Sequence, residues 1–173
     1  MTNKYLLLLS FALIYASNVF CQTEKKWQTY TKDNYTIQYP GDWYQGTPIF
    51  SNTKMVIKPN KQEYQFKFSI NLVILDVPSN INNIEAYAKF TDQDIKRMMP
   101  SGRQLSRKIY RTKSGHYYKH IYTVKQLGQD LIFFQQILLY KQKAYGLTST
   151  CTKEEFKQKE ELIKKIFSTF QVN

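Results

Sequence analysis

Hydrophobic and polar residues alternate through the first half of the chain. After Trp27 and Tyr30, the run Tyr35-Thr-Ile-Gln-Tyr39 sets Tyr35, Ile37 and Tyr39 on one side, the period of two of a half-buried strand. Pro40-Gly41-Asp42 ends it. Trp43-Tyr44 and Ile49-Phe50 frame a loop, and Met55 to Lys58, closed by Pro59, predicts a short strand. Gln65 to Val77 predicts a longer one, with Phe66, Phe68, Ile70, Leu72 and Ile74 on one face, expected to pair with its predecessor. At Asn82 the period changes. Asn82 is placed to cap a helix, with Glu85 returning the bond, and Ile84, Tyr87, Ala88, Thr91, Ile95 and Met98 follow at helical spacing until Pro100-Ser101-Gly102. Strands are then predicted over Gln104–Thr112, Tyr117–Gln126, Leu131–Lys141 and Lys143–Cys151. The run Leu131 to Tyr140 is apolar on both faces, which requires cover above and below. Thr152 and Glu155 form a capping box for a last helix, whose stripe is Phe156, Leu162, Ile163, Ile166, Phe167 and Phe170. Strands grouped around one helix and followed by another predict an α+β fold, an antiparallel β-sheet sandwiched by helices.

The first residues do not belong to this pattern. Lys4 precedes an apolar run of about eleven residues from Tyr5 to Tyr15, then Ala16-Ser17-Asn18 and Val19-Phe20-Cys21, the order of a secretory signal peptide over residues 1–21. The run is short of the roughly 20 residues that span a bilayer, so no transmembrane helix is expected in the mature chain. Cleavage after Cys21 leaves residues 22–173 as a single domain, periplasmic or secreted, of a bacterial protein. The bulky Phe20 departs from the small residue wanted before a lipidated cysteine, so lipid anchoring via Cys21 is the lesser alternative. Cys151 is then the one remaining cysteine, and the fold has no internal disulfide to rest on.

Charge adds the most uneven feature. The chain carries a formal +12. The stretch from Ile95 to Gln129 holds Lys96, Arg97, Arg103, Arg107, Lys108, Arg111, Lys113, Lys119 and Lys125 and no acid. Folded as a β-hairpin, Arg103 to Lys125 would present cations among Tyr110, Tyr117 and Tyr118, a surface for an acidic protein, a polyanion or an anionic membrane surface. Alternation sends Arg107 and Arg111 to the side opposite Lys108. Export makes nucleic acid an unexpected partner.

Catalytic chemistry finds little support. Glycine-rich phosphate loops, a Gly-x-Ser-x-Gly elbow and a His-Glu-x-x-His helix are absent from the sequence. His116 and His120 fall on a predicted strand, where four residues span about 13 Å, too far for one metal ion, so surface or half-buried imidazoles are expected. Cys151 precedes a helix whose dipole would lower its thiol pKa, but a small core residue explains it as simply. Asp92 and Asp94 do not share a helix face, and Glu154-Glu155 and Glu160-Glu161 read as first-turn and solvated charges. No catalytic residue, metal or cofactor is predicted.

The segment Tyr35-Thr-Ile-Gln-Tyr-Pro-Gly-Asp-Trp43, with the final helix ending Phe167-Ser-Thr-Phe170, resembles the PsbP-like superfamily, and the resemblance spans roughly Trp27 to Val172. It implies an α-β-α sandwich and a role as a binding or assembly module, with no particular partner. The expected function is therefore an exported, non-catalytic module contacting an acidic partner through the basic hairpin. The alternative is a small-molecule carrier with an aromatic pocket lined by Tyr35, Tyr39, Trp43, Phe66 and Phe68.

Overall fold

In the computed structural model, residues 26–60, 68–112, 115–126 and 128–173 are described. The predicted signal peptide, Cys21, Phe66, Lys113 and the start of the predicted 65–77 strand lie outside them. Strands β1 (Trp27–Lys32), β2 (Tyr35–Pro40), β3 (Trp43–Gln45), β4 (Thr53–Pro59) and β5 (Ser69–Asp76) come first. Helix α1 (Ile84–Met98) separates them from β6 (Arg103–Thr112), β7 (Gly115–Gln126), β8 (Gln129–Tyr140) and β9 (Lys143–Thr152). Helix α2 (Lys153–Ser168) and the two-residue β10 (Gln171–Val172) follow.

The strands form two antiparallel sheets, a large one of seven in the order β3-β4-β5-β9-β8-β7-β6 and a small one in the order β1-β2-β10. Successive side chains of a strand leave by opposite faces, and here both faces of the large sheet are covered. On one face Tyr35, Ile37 and Tyr39 of the small sheet join Ile163, Ile166 and Phe167 of α2 against Ile57, Ile70, Leu72, Phe134 and Leu147, which is the main core. On the other face α1 buries Ile84, Tyr87 and Ala88 against Tyr118, Ile137 and Ala144. β8 lies between β7 and β9, and its Leu131, Ile132, Phe134, Ile137 and Leu138 are buried, which accounts for its apolar residues at both parities. The small sheet is pinned beneath α2 by its hydrogen bonds. Thr169 Oγ1 accepts from Gln38 N at 2.9 Å, and Asn173 N donates to Asn34 O at 2.7 Å.

Three local outcomes differ from the sequence reading. The cap of α1 is Asn83, whose Oδ1 accepts from Ala86 N at 2.8 Å; Asn82 Oδ1 accepts from the Asn83 side-chain amide instead, and Glu85 turns away to Arg111. The β8–β9 hairpin turns through Lys141 and Gln142, both at positive φ (46° and 58°), the backbone of a two-residue primed turn built without glycine. The proposed pocket aromatics are core: Tyr35, Tyr39, Trp43 and Phe68 are 0–6% exposed, with Trp43 edge-on to Phe68 at 5.3 Å. Side chains packed this closely fill the space that a ligand would need.

Candidate functional site

The basic segment folds as a two-stranded ribbon, β6 paired to β7 from Arg103↔Thr123 to Thr112↔Gly115, with one irregularity between Gln104 and Ser106. The pleat divides its cations between two faces and one end. Toward α1 lie Arg107 and Arg111. Arg107 NH1 pairs with Asp92 Oδ2 at 3.1 Å, and Arg111 pairs with Glu85. Toward α2 lie Lys108 and Lys119, which are register partners and place their ammonium groups over the Tyr110 ring at 5.0 Å each. At the far end Arg103 and Lys125 meet Lys153 and Asp130 around a cleft of about 320 Å³. The predicted surface is therefore three groups, and among the described residues no carboxylate pairs with Lys108, Lys119, Arg103 or Lys125.

The α2-facing group borders a cavity of about 420 Å³ lined in part by Lys108, Tyr110, Lys119, Phe134, Glu160 and Lys164. Glu160 and Glu161 bind Lys164 at 3.0 and 2.8 Å and raise its pKa. Lys119 has the opposite shift. Partial burial pushes its ammonium below the ordinary lysine value, and neighbouring Lys164 adds to this. The groove thus holds cations in excess over the one carboxylate in its wall.

The α1 face carries a polar row that the sequence reading missed. Asp92, dismissed there as one of two unpaired helix acids, is a hub. It accepts from the Tyr118 hydroxyl and from Gln104 Nε2 at 3.2 Å, and it pairs with Arg107. His120 Nδ1 stands 3.8 Å from Asp92 Oδ1, while His120 Nε2 lies 2.7 Å from Gln135 Oε1. Gln135 Nε2 donates in turn to Thr148 Oγ1 at 2.8 Å, so its oxygen must accept, and His120 carries its proton on Nε2. The residues of this row sit side by side in the register, Arg107↔His120, His120↔Gln135 and Gln135↔Thr148. His120 is 1% exposed, a correction to the half-buried imidazole expected, and burial pushes its pKa down. His116, on the same face of β7, is exposed. A partial signal for the hub exists in the sequence: Glu85 and Asp92 are seven apart on a helix, about 10 Å, within about 3 Å of the span of Arg107 and Arg111 on a strand.

Cys151 lies in the main core, and burial, followed by the Glu155 charge, pushes its thiol up to about 12. A thiol so shifted stays protonated at neutral pH and is a poor nucleophile. Toward its C-terminal half α1 leaves a cleft of about 210 Å³ over the sheet, lined by Phe90, Ile95, Met98, Tyr122, Gln135 and Gly146 among others. Among the described residues no helix is long and apolar enough to cross a membrane.

Searching curated protein sequences found no match. Among solved structures, cyanobacterial PsbP (CyanoP) of Synechocystis sp. PCC 6803 matches with a TM-score of 0.67 at 13% identity, over 86% of this chain and 94% of that one. LpqN of Mycobacterium tuberculosis, described as involved in cell envelope biogenesis, matches with a TM-score of 0.66 at 10% identity, over 86% of this chain and 91% of its own. At such identities the likeness is one of fold. The PsbP family model matches residues 25–172, which include every strand and helix of the two sheets and their covering helices, and the chain belongs to the PsbP family.

Proposed function

We propose that this chain is an exported binding or assembly module, without catalytic chemistry of its own, that holds an acidic partner against the basic β6–β7 ribbon. The observation that carries this reading is the α2-facing group, where Lys108 and Lys119 flank Tyr110 at 5.0 Å each with no acid bound to them among the described residues. Arg107 and Arg111 contribute less, because Asp92 and Glu85 already neutralise them. Arg103 and Lys125 extend the basic surface toward the opposite end of the ribbon. The description of LpqN as a protein of cell envelope biogenesis agrees with a place for this chain outside the cytoplasm, periplasmic or secreted. Capture of partners from the cell envelope at low and at high salt tests the reading. A protein retained only at low salt is the expected result, since the range of exposed charges shrinks from about 30 Å at 0.01 M salt to about 3 Å at 1 M. Retention that ignores salt, or no retention at all, would overturn it.

A small-molecule carrier is the second reading. What favours it is the cleft beneath α1, whose walls are mainly apolar, with Thr91 and Asp94 among the residues that line it. A ligand held there survives high salt, which separates the two readings in the same experiment.

A further inference from the structure

Among the described residues β6 is the outermost strand of the large sheet on its side. From Ser106 to Arg111 its pairing with β7 is unbroken. A strand with a single partner turns about every second N–H and C=O outward, which makes it a template for another chain. Proteins commonly blunt such edges by keeping them short, bulged or charged. This edge is ten residues long, its irregularity is confined to the end near Leu105, and its protection is charge. Cations repel a second copy of the same edge and attract an acidic strand, so the edge discriminates between the two.

The two sides of the edge are unequal. Arg107 and Arg111 on the α1 side are held by acids, whereas Lys108 and Lys119 on the α2 side are not. Any strand added beside β6 would send alternate side chains to these two sides. We propose that β6 accepts an extended acidic segment of a partner protein as an additional strand, with a carboxylate at the position opposite Lys108, on the side that Lys108 shares with its register partner Lys119. The inference rests on the acidic-partner reading above and makes it specific: main-chain hydrogen bonds supply affinity, and the carboxylate opposite Lys108 sets the register.

The test is titration of the purified protein, at low salt, with a labelled peptide alternating glutamate with threonine or valine. A second peptide has the same sequence with every amide N-methylated, which keeps the carboxylates and removes the N–H donors. Amide exchange of β6 is followed in parallel. The expected result is binding of the first peptide with slowed exchange between Ser106 and Arg111, and binding about tenfold weaker or worse after methylation, the equivalent of losing one or two net hydrogen bonds. Equal binding of both peptides without protection of β6 overturns strand addition and leaves a charge contact with an acidic partner standing. Binding of neither peptide also overturns strand addition, and the capture experiment then decides the broader reading by itself.

Discussion

Asp92 is 15% exposed and is shared by Tyr118, Gln104 and Arg107, so its removal strands several polar groups at once between α1 and the sheet. A half-buried donor left without an acceptor costs about 1–3 kcal/mol. Asp92→Ala is therefore expected to lower stability by about 2 kcal/mol in urea unfolding, and Glu85→Ala, whose ion pair with Arg111 lies in solvent, to lower it much less. His120 gives this row a pH dependence. Its native pKa lies below the ordinary 6.5 because burial disfavours the charged ring. Between the two values the unfolded chain holds the proton and the native one does not, so stability falls as pH drops through 6.5 toward the native pKa. Unfolding midpoints at about pH 8 and about pH 5 should show that decline in the natural chain and a weaker one in His120→Gln. Beyond the spacing of Glu85 and Asp92, little of this was legible in the sequence, because alternation assigns a residue to a face but does not say which helix side chain will lie above it.

Helices and hairpins obey more local rules, and the last helix shows how far these reach. Thr152 Oγ1 accepts from Glu155 N at 3.2 Å, and Thr152 N donates to Glu155 Oε2 at 3.1 Å, the reciprocal cap read from the sequence. Thr152→Ala is expected to cost about 1 kcal/mol in thermal or urea unfolding. The β8–β9 turn runs the other way. Lys141 and Gln142 occupy left-handed backbone that disfavours residues with a Cβ, so Gln142→Gly is expected to stabilise the protein by about 0.5 kcal/mol, after the entropy that glycine loses on folding. The cap of α1 moved by one residue because Asn82 and Asn83 are chemically equivalent candidates, and Glu85, the residue meant to choose between them, found an arginine on β6 instead. β10 has two residues and no period to detect. It exists because the chain after α2 meets the open edge of β2.

At the scale of the molecule, the two-sided burial of Leu131 to Tyr140 led directly to a layered α+β fold, and the family assignment agrees. The division of that fold into a large sheet and a small one beneath α2 depends on contacts between Tyr35, Phe170 and Tyr145, far apart in sequence. The basic surface has the same history. Alternation separated Arg107 and Arg111 from Lys108, but only the packing of α1 revealed that the first two are neutralised. The functional account rests on this asymmetry, and its sharpest test compares two variants of equal charge. Lys108→Glu with Lys119→Glu reverses the α2-facing group, while Lys89→Glu with Lys157→Glu makes the same change in net charge at exposed helix positions elsewhere. Capture of the envelope partner at low salt should be lost in the first variant and kept in the second. Equal loss in both would reduce the binding to overall charge, and retention in the first would contradict the assignment of the ribbon as the contact surface.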